Sequence, residues 1–172
     1  MKKVLRQQII EKRLGISQSD QIKAQTNIIN QLSEEEHFLK ADFIGIFYPT
    51  KNEMDITSLI DKYPNKIFAY PKIVNEKIQF LQVDSHIDMK KSSFGVLEPS
   101  YGFDITSKLE VVIVPALGMT KDNYRLGYGK GYYDKFFKVY QNPYKIGIIY
   151  AHEEVSFEPQ AYDIALDTYF MG

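Results

Sequence analysis

Apolar positions along the chain follow two regimes. In the first forty or so residues they recur at helical spacing, and beyond that they gather in short runs. Residues 2–14 place Val4, Leu5 and Ile9 on one side of a helix, with Gly15 as its stop. Ser17 offers a hydroxyl cap to a second helix, and Asp20 stands three residues on, as in a capping box. Ile22, Ile28, Ile29 and Leu32 form that helix's apolar stripe. The pattern then shifts to DFIGIFYP, KIFAYP, KIQFLQV, LEVVIVPA and YKIGIIYA. These segments are short and rich in β-branched and aromatic residues, which predicts strands. VVIV and IGII are apolar at every position, which predicts central strands covered on both faces. Helical spacing returns at 55–63, through Ile56, Leu59 and Ile60, and at 131–140, through Tyr133, Phe136, Phe137 and Tyr140. Asn75 and Glu76 interrupt two strand-like runs as a hairpin turn would, so the sheet should be mixed. Strands alternating with helices predict an α/β layered domain. No repeat, low-complexity tract or linker divides the chain, so one domain over 1–172 is expected.

Charge and composition narrow the partners. Twenty-one basic against 22 acidic residues leave a net charge of −1 over 172 residues. That balance gives no global attraction to nucleic acid or an anionic membrane. The chain has no cysteine, which excludes disulfides, thiolate metal sites and cysteine nucleophiles. The charged start MKKVLRQQIIEKR lacks the apolar stretch of a signal peptide, and no apolar run approaches the roughly 18 residues of a membrane span. The expectation is a soluble cytoplasmic protein, a monomer or weak homodimer.

The candidate chemistry centres on RLGYGKGYYDKFF, residues 125–137. A strand candidate at 109–114 ends at Pro115, a loop is expected over 116–130, and a helix follows. In open α/β sheets, loops at the carboxyl ends of strands bind ligands. Gly127, Gly129 and Gly131 let the backbone approach a ligand, and free amides at the next helix start favour an anion. Arg125 and Lys130 add charge. Asp134 is a carboxylate of the kind magnesium takes beside phosphate oxygens. The pattern fits neither the P-loop nor the dinucleotide fingerprint, so a phosphate cradle and a plain turn feeding a core helix both stay open.

Other candidates are scattered. Lys2, Arg6 and Arg13 fall within about 40° of one helical face; they form either a cationic stripe over phosphates or a solvated face. Glu53 follows a strand end, where acidic residues also serve as helix caps, as Asp55 would. Tyr48, Phe94 and Tyr101 could stack on a flat ring or simply pack. Asp167 follows Ile164, Ala165 and Leu166 and is either a second metal ligand or an edge residue. His37, His86 and His152 lack metal-ligand spacing, and Ser92 and Ser93 lack a nucleophile-elbow context. Cations, a glycine loop and carboxylates suit phosphoryl transfer.

At VPALGMTKDNYRLGYGKGYYDKFF the chain resembles the 5-formyltetrahydrofolate cyclo-ligases, also called 5,10-methenyltetrahydrofolate synthetases. Lys2 and Arg6, FYPTKNEMD with its glutamate, YPK, GVLEP and LDTYF extend the likeness over most of the chain. The resemblance implies a three-layer α/β/α sandwich with a mixed, mainly parallel sheet, similar to phosphosugar isomerases and CoA transferases. It implies ATP-dependent conversion of 5-formyltetrahydrofolate, which can carry a polyglutamate tail, to 5,10-methenyltetrahydrofolate with ADP, phosphate and magnesium. The formyl oxygen would be phosphorylated before nitrogen 10 closes the ring. Lys2, Arg6, Arg125, Leu126, Gly127, Tyr128, Gly129, Lys130, Gly131, Tyr132 and Tyr133 would bind ATP. Arg125, Lys130 and Asp134 would act in catalysis, and Asp134 and Asp167 would hold magnesium. Tyr48, Glu53, Phe94 and Tyr132 would meet the folate. Two positions depart from the family pattern: Met119-Thr120 stands where relatives often carry Phe-Asp, and Tyr128 fills the motif's variable position. Neither removes a charged ligand, so local repacking or altered substrate fit is expected. A phosphosugar isomerase-like enzyme and a non-catalytic nucleotide-binding module are the competing readings.

Overall fold

A computed structural model describes residues 1–50, 53–84 and 87–172. Lys51 and Asn52 of the FYPTKNEMD segment, and His86, lie outside the described residues.

The chain opens with α1 (Lys2–Leu14) and α2 (Gln18–Leu32). The Asp20 amide donates to Ser17 Oγ at 3.2 Å, closing the expected cap. Gly15 ends α1 with a right-handed φ of −89°, so its role there is not a left-handed turn. Both apolar stripes are narrower than the spacing predicts. Val4 is 57% and Ile22 55% exposed, whereas Ile9, Ile28 and Leu32 are buried. Ala24 is buried on that inner side, and Gly172 comes so close that a Cβ on it would stand 2.5 Å from the Ala24 carbonyl oxygen.

Next come α3 (Glu36–Lys40), β1 (Phe43–Gly45), α4 (Leu59–Lys62), β2 (Ile67–Val74) and β3 (Lys77–Val83). Two short strands, β4 (Met89–Lys91) and β5 (Leu97–Pro99), make a separate antiparallel ribbon. The helix expected over 55–63 shrinks to one turn. Asp55 accepts the Thr57 amide at 2.9 Å and its hydroxyl at 2.6 Å, so a side-chain turn takes up the first residues.

The rest of the chain carries β6 (Val111–Pro115), β7 (Gly118–Met119), β8 (Arg125–Leu126), α5 (Tyr132–Val139), β9 (Tyr144–Ile149) and β10 (Thr168–Met171). The loop expected over 116–130 therefore contains a small hairpin, pairing Gly118 with Leu126 and Met119 with Arg125.

The six-stranded sheet runs β10-β9-β6-β1-β2-β3. Its neighbours are parallel except β2 and β3. The β2–β3 turn sets Asn75 at φ 49° and Glu76 at φ 61°, the left-handed pair a two-residue hairpin requires. Side chains alternate across β6. Val111 and Ile113 enter a core with Ile28, Leu32 and Phe38, while Val112 and Val114 enter one with Phe80, Phe136 and Phe137. Helices thus cover both faces, which is the predicted α/β/α sandwich. Gly45 lets the layers close: a Cβ there would stand 2.9 Å from the Phe80 ring. Among the described residues no helix is long and apolar enough to cross a membrane.

Candidate active site

In the strand order, β2 follows β1 to one side, whereas β6, β9 and β10 extend to the other. The connection reverses between β1 and β6, and that is where an open parallel sheet leaves a crevice at its carboxyl edge. A cleft of about 680 Å³ opens there. Tyr48 and Glu53, beyond β1, line one wall; Arg125, Tyr128 and Lys130, beyond β6, line the other; Phe94 reaches in from the β4–β5 ribbon.

Helix α1 lies across this edge rather than on a sheet face. Its buried Ile9 packs with Leu117, Leu126 and Phe157. This orientation turns the cationic stripe inward and rules out a solvated face. Arg6 Nε donates to the Gly127 carbonyl at 2.7 Å. Lys2 Nζ donates to Asp163 Oδ2 at 2.5 Å and sits 4.5 Å from the Phe157 ring centre. Arg13, only 3% exposed, donates to both Glu153 oxygens at 2.8 and 2.7 Å and to the Ala116 carbonyl at 2.6 Å. Burial works against its charge, but Glu153's hydrogen bonds and charge outweigh that and hold the Arg13 pKa above its ordinary value.

The glycine turn is built around cations. Gly129 has φ +100° and Gly131 φ +68°, conformations that need glycine. Gly131 caps α5, and a side chain there would meet nothing within 4 Å. Gly127 answers a different constraint, because a Cβ would stand 2.6 Å from Arg125 Nη1. Arg125 folds back beneath the turn. Its Nη1 donates to the Pro115 carbonyl at 3.1 Å, its guanidinium lies 5.0 Å from the Tyr133 ring centre, and its Nη2 is 4.0 Å from Asp134 Oδ2. Burial pulls its pKa down while the Asp134 charge opposes this. Burial also pushes the Tyr133 hydroxyl up. Leu126 is fully buried, so its side chain belongs to the core. Lys130 Nζ stands 5.6 Å from the Phe94 ring, and Phe94 packs edge-on to Tyr132 at 6.3 Å.

On the facing wall, Tyr48 meets Tyr70 edge-on at 5.8 Å. Glu53 Oε2 accepts the Thr50 amide at 2.8 Å and the Thr50 hydroxyl at 3.1 Å. Burial raises the Glu53 pKa, with those donors and the Arg13 charge opposing. Burial first, and then the Glu53 charge, raises that of Tyr128.

A magnesium site is the implied group to test against these residues. Asp134 Oδ1 accepts the Ile164 amide at 3.0 Å, which orients the carboxylate and leaves Oδ2 on the Arg125 side. Magnesium needs one or two carboxylates when phosphate oxygens complete its shell, so Asp134 fits. Among the described residues no three His, Asp or Glu side chains assemble as a metal cage. Asp167 does not join Asp134. It precedes β10 at the amino edge of the sheet, where Oδ2 accepts the Lys145 amide at 2.7 Å and lies 3.6 Å from Lys145 Nζ. Parallel pairing of β10 with β9 puts it at the opposite end from the cleft, and this corrects the two-aspartate expectation.

Tyr101 is 64% exposed and is not part of the cleft wall. Met119 and Thr120 are both buried; Thr120 Oγ accepts the Tyr124 amide at 3.0 Å within the small hairpin. His37 stacks on Tyr144 at 3.6 Å. Sequence reasoning missed Thr50, Glu153 and Asp163. Glu153 had a usable signal, for it follows the strand YKIGIIYA as Glu53 follows DFIGIFYP.

The model of the 5-formyltetrahydrofolate cyclo-ligase family matches residues 1–168. The 5-formyltetrahydrofolate cyclo-ligase of Mycoplasma pneumoniae is 31% identical over 96% of this chain and 95% of its own length. The mouse 5-formyltetrahydrofolate cyclo-ligase is 26% identical over 80% of this chain and 73% of its own. Among solved structures, the NMR structure of Aquifex aeolicus 5,10-methenyltetrahydrofolate synthetase superposes with a TM-score of 0.85 at 27% identity. That match covers 99% of this chain and 89% of the other.

Proposed function

The chain belongs to the 5-formyltetrahydrofolate cyclo-ligase family, and from that premise we propose that it closes 5-formyltetrahydrofolate to 5,10-methenyltetrahydrofolate with ATP, releasing ADP and phosphate. The observation that carries the reading is the two-walled cleft. A half-buried carboxylate and Tyr48 stand on one side, and a glycine turn with cations stands on the other. Both walls make sense where two different ligands meet.

The formyl oxygen attacks the γ-phosphorus, and ADP leaves with the electron pair of the broken P–O bond. Nitrogen 10 then attacks the activated carbon, loses its proton, and the C–O bond breaks to release phosphate. A formyl oxygen needs alignment and charge neutralisation rather than a strong base. Tyr48, Glu53, Phe94 and Tyr132 would hold the folate, Glu53 accepting from the pterin. Arg6 and the 126–133 backbone would hold the nucleotide, and Lys2 would exchange Asp163 for phosphate. Arg125 and Lys130 would offset charge developing on the transferred group. Magnesium held by Asp134 would supply further neutralisation at phosphate oxygens.

The test is direct. With 5-formyltetrahydrofolate, ATP and magnesium, the near-ultraviolet band of methenyltetrahydrofolate should grow, with one ADP per product. No band would refute the proposal. A phosphosugar isomerase-like enzyme would need no ATP, and a binding module would release no ADP.

A further inference from the structure

Glu98, in β5, lines the same cleft as Glu53. It is 8% exposed, and a carboxylate is rarely buried so far without partners. Its one hydrogen-bonding partner among the described residues is the Ile73 amide, 3.4 Å from Oε2. That separation lies beyond the usual range of roughly 2.7–3.2 Å, so the bond is weak. Glu98 forms no ion pair among the described residues. Every side-chain oxygen sealed from solvent among those residues has a partner, and Glu98 Oε1 has none, so Oε1 stays open. Ile73, against which the carboxylate rests, is itself a lining residue of the cleft.

Strand pairing explains why this acid stands there. β1 pairs with β2 only as far as Ala69, so residues 71–74 present an edge that β1 does not cover. The β4–β5 ribbon leans on that edge, where Lys72 Nζ also reaches the Ser100 carbonyl at 3.4 Å. The edge lies on the β2–β3 side of β1, whereas the glycine turn lies beyond β6 on the other side. Pro71, Ile73, Ile78 and Leu97 give this part of the cleft an apolar lining. Such a surface takes a flat ring, and a carboxylate beside it accepts an N–H and repels a phosphate.

We propose that Glu98 is a second folate-binding carboxylate, accepting an N–H of the folate that Glu53 does not engage. This rests on the folate and ATP reading above. Folate carries N–H donors on its pterin and along the p-aminobenzoyl bridge, more than one carboxylate can reach. A carboxylate offers about four acceptor sites, and the Ile73 amide takes up only one of those on Glu98. A hydrogen bond to a charged group changes an equilibrium by about ten- to a hundredfold, which bounds the effect. Adenine also carries an amine, so nucleotide binding is the control that separates the two ligands.

The experiment measures two affinities by calorimetry, for 5-formyltetrahydrofolate and, separately, for a non-hydrolysable ATP analogue with magnesium. Wild type, Glu98→Ala and Glu98→Gln are compared, and thermal unfolding is followed for each. Glu98→Ala should weaken folate about ten- to a hundredfold and the nucleotide analogue by less than about twofold. Glu98→Gln should weaken folate less than Glu98→Ala does, because its amide oxygen still accepts, and should keep the wild-type Tm, because that oxygen also serves the Ile73 amide. Unchanged folate affinity in Glu98→Ala overturns the proposal. Equal weakening of both ligands reduces Glu98 to a support of the ribbon and overturns it too, as does weakening of the nucleotide alone. If Glu98→Ala does not fold, Glu98→Gln carries the test: folate weakened about threefold or more with the nucleotide unaffected supports the proposal, and wild-type folate affinity overturns it. If wild type binds no folate, the folate and ATP reading fails and takes this one with it. If wild type binds and converts folate while Glu98→Ala keeps its affinity, the Glu98 assignment alone fails.

Discussion

Replacing Arg13 by methionine tests the anchor of the N-terminal helix. The change removes the hydrogen bonds to both Glu153 oxygens and to the Ala116 carbonyl. It leaves the Glu153 carboxylate buried, with the Tyr150 amide at 2.9 Å but without its counter-ion. Methionine fills most of the vacated space, so the cost is chiefly electrostatic. Removing one partner of a buried ion pair costs about 3–5 kcal/mol. On a domain of this length each kcal/mol moves Tm by about 2–4 °C, so Tm should fall by about 6–20 °C. Glu153→Gln should be destabilising as well, and the Arg13→Met/Glu153→Gln double variant should lose much less than the sum of the two. Thermal unfolding followed by circular dichroism completes the cycle. Additive losses in the double variant would refute the pair as a buried unit. Because Lys2 and Arg6 ride on the same helix, the variant should also raise KM for ATP more than KM for folate.

Gly127→Ala drives a methyl group into Arg125, which is itself held by Pro115 and Tyr133. Turnover should fall at least tenfold while the far-ultraviolet spectrum stays native, since about 1.4 kcal/mol of lost transition-state stabilisation suffices; wild-type kinetics would show that Arg125 can move freely. Asp134→Asn should lower turnover with partial rescue by raised magnesium, and unchanged kinetics would remove Asp134 from the metal site. Glu53→Gln should raise the folate KM and also raise Tm near neutral pH. Burial lifts the Glu53 pKa, so its ionised form costs stability at high pH and the cost vanishes below the unfolded-state value of about 4.3. A Tm gain that persists unchanged in acid would exclude that cause.

Much of the fold was legible because its signals are local. The span of α1, the Ser17 cap, the two-sided apolar runs of β6 and β9 and the turn at Asn75-Glu76 all depend on neighbours within a few positions. The helix at 55–63 misled because Asp55 and Thr57 close a side-chain turn that competes with helical bonds. Val4 and Ile22 misled because helical spacing marks an apolar face without saying how wide a surface will cover it. In the candidate site, the glycine turn announced itself through composition. Met119-Thr120 read as a departure from a pattern, and the structure shows these residues as buried parts of a hairpin.

The sequence alone determined the element types, the layered class and the presence of a glycine turn with cations at a strand end. Only the tertiary structure decided what meets what. It laid α1 across the carboxyl edge, which paired Arg13 with a glutamate 140 positions away. It set Asp167 at the amino edge with Lys145, away from Asp134. It placed Tyr128 and Glu53, 75 positions apart in sequence, in the lining of one cleft. Periodicity and propensity act over a few residues, whereas an ion pair or a shared cleft depends on strand order and direction, which no single stretch of the chain encodes.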